Sequence, residues 1–327
     1  MIEWTFDPHE VEWMLEHLKN MWDGRLASLA PGGFPAYGRL LHPAHGPDNA
    51  GVRWADIAAH NAVPMTPTRA FVHVALPECL PDGVTAWIGR PPRHGGLERR
   101  QAGRLVELLA PHTQTADRVS FALSADFGRY TRVRPDLPPE PAPDPIPPSV
   151  RQGFRMRVPG REYLVYRGRL DDALVWMHQK DSPNWWWIDA QTPQFWWPLD
   201  HSWAVASDAA LPWSIIAGSQ DLIAQLVRDP QLEVMAITED DVVEPRPAWL
   251  TAVIDRAVHD LMNHRRAVID TARGAVFCHM TGNGATGMRI ESGGGWALLH
   301  PERANRSLED QVFDRVWGAL QTQLNLL

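Results

Sequence analysis

The amino-acid sequence predicts an α+β protein in which helices pack on a largely antiparallel sheet or sheets. Three observations lead to this fold class. Four segments repeat apolar residues with the spacing of an amphipathic helix, and several short apolar segments are bounded by Gly, Pro or Asp, as strands are. The two kinds of segment alternate irregularly, whereas a doubly wound parallel sheet needs a steady strand–helix–strand rhythm.

The predicted helices have recognisable starts. The first begins with Asp7 as its cap and Pro8 in its first turn, and it ends at Gly24. A second is capped by Ser219, and its buried face is expected to carry four aliphatic side chains: Leu222, Ile223, Leu226 and Val227. Further helices are expected in "GRLVELLAPH", "RPAWLTAVIDRAVHDLMNHRRAVID" and "SLEDQVFDRVWGALQTQL".

Strands are predicted between the helices, in segments that are short and apolar. They are "AFVHVAL", "RVSFALSAD", "EYLVYRG", "SWAVASD", "LEVMAIT", "AVFCHM" and "GWALLH". The glycines between "AVFCHM" and "MRIES" fit the G-x-G-x-x-G spacing of a dinucleotide site. That fingerprint needs a helix to follow, and Gly293, Gly294 and Gly295 exclude one, so a hairpin loop is expected instead.

The proline-rich segment "RPDLPPEPAPDPIPPSV" divides the chain into predicted regions. We expect an N-terminal α+β lobe over 1–133, a linker or loop over 134–150, a Trp-rich α+β lobe over 151–243, and a helix–hairpin–helix extension over 244–327 packed on the second lobe. "SFALSAD" and "SWAVASD" resemble each other, which would suit two related lobes. The alternative is that aromatic–Ala–aliphatic simply describes a buried strand.

Composition limits the class of protein. The chain has 327 residues, 44% of them hydrophobic and 21% charged, which are globular values. Its net charge of −8 argues against nucleic-acid and anionic-membrane binding. Cys79 and Cys278 form no disulfide framework, and the start "MIEWTFDPHEVEW" lacks the pattern of a signal peptide, so we expect a cytoplasmic protein.

No motif for catalysis, metals or cofactors is complete. His259 and His264 are five residues apart on a predicted helix and so point to different sides, whereas ligand pairs are three or four apart. His42 and His45, in "HPAH", lie in a loop rich in Pro and Gly and are a weak candidate pair. We therefore predict no metal and no cofactor.

The segment "SPNWWWIDAQTPQFWWPLDHSWAVASD" gives the strongest functional indication. Trp is favoured in cores and is enriched at binding hot spots. Neighbouring strand residues face opposite sides, so three consecutive tryptophans cannot all enter one core. The candidate binding residues are the tryptophans of its two aromatic triplets with the nearby acids and histidine: Trp185, Trp186, Trp187, Trp196, Trp197, Asp189, Asp200 and His201.

Two functions are compatible with these residues. The first is a non-catalytic binding protein, similar to an immunity protein or a regulator, which uses a Trp-rich surface to contact another protein or a small ligand. The alternative is a hydrolase or transferase whose cleft is lined by Trp. That enzyme would bring together four titratable groups: Asp189, Asp200, His201 and Asp208. The sequence does not decide whether the protein is an enzyme.

The segment "FWWPLDHSWAVASDAALPWSIIAGSQDLIAQLVRDPQLEVMAIT" resembles one in uncharacterised tryptophan-rich proteins of actinomycetes. The resemblance continues at "FPAYGRLLHP", "VRWADIAAH" and "SFALSADFG" and covers residues 34–240. The chain departs from the pattern at His201, where arginine is expected, and in its doubled aromatic triplet. "SWAVASDAALPWSII" is also similar, more weakly, to small α+β immunity proteins of the SMI1/KNR4 type. Neither resemblance implies a specific activity.

Overall fold

The structure is a computed structural model of the chain. It describes residues 2–5, 8–18, 24–75, 87, 89–127, 131–134, 137–141, 146–159, 161–177, 192–209, 211–243, 248–264, 266–271, 274–283, 285–290 and 295–298. The predicted helix in "SLEDQVFDRVWGALQTQL" lies outside these residues, as does the proposed cap Asp7.

Seventeen strands lie in the described part of the chain. In order they are β1 (Glu3–Trp4), β2 (Ala36–Leu41), β3 (Ala44–His45), β4 (Gly51–Val52), β5 (Val119–Ser124), β6 (Thr131–Arg134), β7 (Leu137–Pro141), β8 (Met156–Val158), β9 (Arg161–Gly168), β10 (Phe195–Pro198), β11 (Ala204–Ser207), β12 (Trp213–Gly218), β13 (Val234–Ile237), β14 (Arg266–Thr271), β15 (Gly274–Asn283), β16 (Ala285–Ile290) and β17 (Gly295–Leu298).

Seven α-helices accompany them in the same described residues. They are α1 (His9–His17), α2 (Trp54–His60), α3 (Phe71–Ala75), α4 (Arg99–Leu109), α5 (Pro148–Gln152), α6 (Gln220–Arg228) and α7 (Ala248–His264). Short 3-10 turns occupy Ala27–Leu29, Ala110–His112 and Leu170–Leu174. Together with the antiparallel sheets, these helices confirm the predicted α+β class.

The chain divides into two compact units. Unit 1 comprises Met1–His42 and Arg93–Val243, and unit 2 comprises Pro43–Pro92 and Glu244–Leu327. These units do not coincide with the regions predicted from the sequence. Strand β5 precedes the proline-rich segment, yet it pairs with β9 and β10, which follow that segment. Strands from before and after that segment therefore belong to one sheet. Their long-range pairing is not visible as a local sequence pattern.

Unit 1 is built on a sheet of nine described strands in the order β1-β9-β5-β10-β11-β12-β2-β13, with β8 added beside β9. Its strand pairs are antiparallel, as the sequence predicted. Short connections join β10, β11 and β12 into a meander, which suits antiparallel pairing. The similar segments "SFALSAD" and "SWAVASD" are buried strands β5 and β11 of this sheet.

One face of this sheet, which we call face A, forms the main core with α4 and α6. Strand side chains such as Phe121, Trp196 and Val205 join Leu105 from α4 and Leu222 from α6 in a single buried cluster. The opposite face, face B, is also buried where it carries Phe195, Trp197 and Tyr163, although these residues lie outside that cluster. A central strand buried on both faces needs apolar side chains throughout, which explains the unbroken run Phe195–Pro198.

The predicted helices are present as α1, α4, α6 and α7, but two of them end earlier than predicted. Helix α1 ends at His17 and does not reach Gly24, and α7 ends at His264, after which the residues predicted as helical form strand β14. Ser219 caps α6 as expected, because its Oγ accepts a hydrogen bond from the Leu222 N–H at 3.2 Å. The prediction for Val227 was wrong, since its side chain is 43% exposed. Val227 lies on the flank of the stripe formed by the three other aliphatic residues, where the helix turns toward solvent.

Most predicted strands are present, and one was misassigned. "AFVHVAL" forms helix α3 over Phe71–Ala75 instead of a strand. An apolar run this short fits both structures, because periodicity cannot separate them. The glycine segment forms the expected hairpin, with Asn283 opposite Ala285 where β15 meets β16.

Unit 2 contains the pair β3–β4, helices α2 and α3, and a four-stranded antiparallel sheet in the order β14-β15-β16-β17. Helix α7 packs on β14 and β15. Asn61 links three segments in the first part of unit 2. Its Nδ2 donates to the Val74 carbonyl at 2.7 Å, and its Oδ1 accepts from the Trp87 N–H at 3.1 Å. Among all described residues, no helix is long and apolar enough to cross a membrane.

Candidate functional site

The structure separates the predicted binding residues into three groups. Trp185, Trp186, Trp187 and Asp189 lie outside the described residues. Trp196 and Trp197 belong to β10 in the middle of the sheet. Asp200 and His201 lie in the turn that joins β10 to β11.

Trp196 and Trp197 are buried, with exposed fractions of 0% and 2%. Strand alternation places them on opposite faces of the sheet, as the sequence predicted. Trp196 packs edge-on against Phe121, with ring centroids 6.4 Å apart, and its Nε1 donates to the Pro193 carbonyl at 2.7 Å. In this arrangement, neither indole is accessible to a partner, and both support the sheet.

The β10–β11 turn holds Asp200 firmly at the surface. Its carboxylate accepts hydrogen bonds from the Gln114 N–H at 2.8 Å, the Ser202 N–H at 3.1 Å, and the Thr113 hydroxyl at 2.9 and 3.0 Å. Burial raises the pKa of Asp200, but these hydrogen bonds outweigh that effect and leave the pKa below its usual value. Asp200 is therefore ionised at neutral pH and anchors the turn to residues 113–114.

His201 has a backbone conformation that L-residues seldom adopt. Its φ is +52°, in the left-handed region, and its N–H donates to the Pro198 carbonyl at 3.0 Å to close the turn. Gly or Asn normally occupies this position of a hairpin, since a side chain there costs about 1–2 kcal/mol. The chain therefore has an imidazole at a position where glycine would adopt the backbone conformation without this cost.

The His201 ring stacks on Trp13 of α1. The ring centroids are 3.9 Å apart and the planes differ by 7°. Trp13 also contacts His17 at 5.0 Å and meets Phe34 edge-on at 6.2 Å. We call these residues the Trp13 surface: Trp13, His17, Phe34, Asp200 and His201.

The rings of the Trp13 surface are only partly covered. Trp13, Phe34 and His201 are half-buried, and His17 and Asp200 are exposed. Burial lowers the pKa of His201, and the nearby His17 lowers it further, while the Asp200 carboxylate opposes both. At neutral pH, this surface thus presents a neutral aromatic stack beside an ionised carboxylate.

A second polar group lies at the opposite end of β11, inside face A. The His42 imidazole joins the Ser214 hydroxyl through Nε2 at 2.9 Å and the Arg93 carbonyl through Nδ1 at 2.7 Å. The Ser207 and Ser214 hydroxyl oxygens are 2.6 Å apart. Since a carbonyl only accepts, Nδ1 must donate to Arg93, Nε2 accepts from Ser214, and Ser207 donates to Ser214.

These hydrogen bonds place the groups in the order that activates a serine: hydroxyl, imidazole base and orienting acceptor. His42 and Ser214 are nevertheless 0% exposed, so the hydroxyl is closed to a substrate. Burial lowers the pKa of His42 to about 4, which keeps the ring neutral. Their evident role is to satisfy one another's polar groups where the strands end.

Face B carries charged groups near the same end of the sheet. The Arg161 Nε lies 3.3 Å from Oδ2 of the buried Asp208. Tyr163 follows on the same side of β9, and burial first, then the Asp208 charge, raise its pKa above the ordinary value. Burial also lowers the pKa of His94, an effect that the Asp208 charge opposes. These four residues form the sheet-end cluster.

The enzyme site predicted as the alternative needs Asp208 beside Asp200 and His201. In the structure, β11 separates them: Asp200 and His201 precede the strand and Asp208 follows it. Four strand residues span more than roughly 10 Å, so these groups do not share a cleft. In the described part of the chain, no three His, Cys, Asp or Glu side chains are grouped to hold a metal ion.

Sequence reasoning missed Trp13, Phe34 and the His42–Ser214 pair. Trp13 was hidden in the amphipathic pattern of α1, and its partner His201 is 188 positions away in the numbering. His42 was noted only together with His45, which belongs to unit 2.

Comparisons with protein-family models, with curated proteins and with solved structures gave no match for this chain.

Proposed function

We propose that this chain is a non-catalytic binding protein and that the Trp13 surface contacts its partner. The observation that carries the proposal is the left-handed His201, whose ring lies flat on Trp13 at the surface. Backbone strain in a turn that glycine would satisfy is a feature of functional sites. A half-buried Trp beside it is the residue type most enriched at binding hot spots.

The charges around this surface favour a partner with basic side chains. Asp200 is ionised, and Glu12 and Glu16 are exposed on α1 beside Trp13. Aromatic faces together with carboxylates attract arginine and lysine side chains, and the net charge of −8 adds a long-range attraction. We therefore expect a protein partner and expect binding to weaken as salt increases.

The structure supports this function better than the hydrolase or transferase alternative. The carboxylates and histidine that the alternative requires lie at opposite ends of β11, apart from Asp189, which is outside the described residues. The serine with an oriented imidazole is buried. A binding surface needs only the exposed rings and the rigid turn that holds them.

A photo-crosslinking experiment tests the proposal. A benzophenone amino acid replaces His17 in the full chain, and in a control it replaces Arg157, which is 74% exposed and lies on β8 of the same unit. We expect one adduct that forms from position 17 and not from position 157, and whose isolated protein binds the purified chain in a salt-dependent manner. The same adducts from both positions would reject the Trp13 surface as the contact.

A further inference from the structure

Strand β13 is the last strand of the nine-stranded sheet, and its outer side has no partner strand among the described residues. At the other end of the sheet, the outer side of β9 is covered by β8 and β1. Natural sheets protect an open edge with lysine, proline or a bulge. The residues of β13, Val234–Ile237, include no lysine or proline, and their register against β2 has no shift. This edge is therefore regular and lacks those protections.

One hydrogen bond fixes the direction of the backbone groups on β13. The Leu41 N–H donates to the carbonyl of Glu233, the residue opposite it, at 2.9 Å. In an antiparallel pair, residues that bond to the neighbouring strand alternate with residues whose N–H and C=O point away from it. Val234 and Ala236 therefore point these groups away from β2, where no hydrogen bond from the described residues reaches them. Ala236 is exposed, so solvent reaches these outward groups, which we call the β13 edge.

The next outward amides on each side of the β13 edge are already bonded. The Leu232 N–H donates to the Asp229 carboxylate, and the Thr238 N–H donates to Asp241 Oδ2 at 2.8 Å. The open groups lie between these two capped positions. Two residues that each offer one donor and one acceptor match an added strand, which bonds to every second residue of its neighbour.

We propose that the β13 edge binds an extended, basic segment of a partner protein as an additional β-strand. Main-chain hydrogen bonds hold such a segment, and the neighbouring side chains select its charge. Glu239 and Asp240 are exposed directly after β13, and Asp241 follows them. Arg25 lies 3.6 Å from Asp240, so one cation already pairs with this acidic end. Lysine or arginine side chains of the partner would lie beside the same carboxylates.

A second copy of the chain suits this edge less well. Its own segment, "LEVMAITEDD", has no lysine or arginine to place beside the acidic end. Each copy also has a net charge of −8, so two copies repel each other at long range. The charges therefore favour a basic partner over self-association.

The C-terminal end of β13 adjoins the Trp13 surface. Tyr37 lies opposite Ile237, and its hydroxyl donates to Glu239 Oε1 at 3.0 Å. The same hydroxyl accepts from the N–H of Phe34, a residue of the Trp13 surface, at 3.2 Å. A segment that leaves the β13 edge at this end therefore reaches the Trp13 surface. Contact of one partner with both surfaces rests on the proposed function, whereas strand addition does not.

The test selects peptides that bind the full chain. A display library of random peptides about eight residues long, the length of a typical strand with its flanks, is panned on the wild type. The recovered peptides are then titrated against Ala236→Pro and Ala236→Val. Proline removes only an outward N–H, which an edge strand tolerates, and valine retains it as the matched control. Ala236→Lys is a second test variant at the same exposed position, in case Ala236→Pro does not fold.

We expect the recovered peptides to be rich in lysine and arginine and to bind wild type and Ala236→Val equally. Ala236→Pro and Ala236→Lys should bind them at least about tenfold more weakly, through the lost hydrogen bond or the added charge. In the wild type, bound peptide should slow hydrogen exchange at the amides of Val234 and Ala236. The Met235 amide, which points toward β2, should be unaffected.

Three results would overturn the proposal. They are a selection that yields no peptide sensitive to the test variants, a selection that yields acidic peptides, and a wild-type dimer that Ala236→Pro dissociates, which would assign the edge to a second copy. Edge-dependent peptides without an adduct from position 17 would reject the Trp13 surface and retain strand addition, so the two proposals fail separately.

Discussion

Acidification should weaken the fold through His42. The buried ring has a pKa of about 4 in the folded chain, whereas an unfolded chain has the ordinary value of 6.5. Between these two values, the unfolded state binds the proton and the folded state does not, so the free energy of unfolding falls as the pH falls. At about 1.4 kcal/mol per pKa unit, the gap from 6.5 to about 4 is worth about 3 kcal/mol.

The assay is urea unfolding followed by tryptophan fluorescence at a series of pH values from 7 to 4. The wild-type chain is compared with His42→Gln, which cannot titrate at this position but retains an oxygen that can accept from Ser214. His94 and the carboxylates titrate in both proteins. The difference between the two pH profiles therefore isolates His42, and we expect the wild type to lose about 3 kcal/mol more than the variant.

The reasoning is refuted if the two proteins lose stability in parallel from pH 7 to 4. In that case, His42 would be protonated at similar pH in the folded and unfolded states. Burial would then not penalise the charged ring, and below that shared pKa Nε2 would donate to the Ser214 hydroxyl and no longer accept from it.

Three further predictions concern stability and are measured by the same urea titration at pH 7. Trp203→Ala should cost about 3–5 kcal/mol, because its side chain is fully buried in the main core. Ser219→Ala should cost about 1 kcal/mol through the lost α6 cap, and a loss near zero would show that the 3.2 Å bond contributes nothing. Ser214→Ala should cost about 1–3 kcal/mol and exceed Ser207→Ala, since it removes the group that bonds both to Nε2 of His42 and to the Ser207 hydroxyl; the reverse order would contradict these hydrogen bonds.

Elements set by local chemistry could be read from the sequence. Ser219 caps α6 because its side chain reaches a backbone N–H three residues later, a contact within one helical turn. The β15–β16 hairpin follows from glycines that no helix would tolerate. The alternation of Trp196 and Trp197 follows from strand geometry alone.

Features that depend on distant residues could not be read in this way. The pairing of β5 with β9 and β10 joins segments on either side of the proline-rich run, so the predicted regions and the observed units differ. Trp196 and Trp197 were candidate binding residues because neighbouring strand residues cannot all enter one core, and here both faces of the strand are covered. His201 was a candidate binding residue from its place beside Asp200, and its stacking partner Trp13 comes from the distant helix α1.

The affinity of the His201→Gly variant for the crosslinked partner tests the central claim most directly. Glycine removes the ring and fits a φ of +52° without strain, and Ala62→Gly is the control because Ala62 in unit 2 has a φ of +54°. Relief of strain and loss of the stack oppose each other, so we expect the free energy of unfolding to stay within about 1 kcal/mol of wild type. We predict that His201→Gly binds the partner at least tenfold more weakly while Ala62→Gly binds as wild type does, and wild-type affinity in His201→Gly would contradict the proposed function.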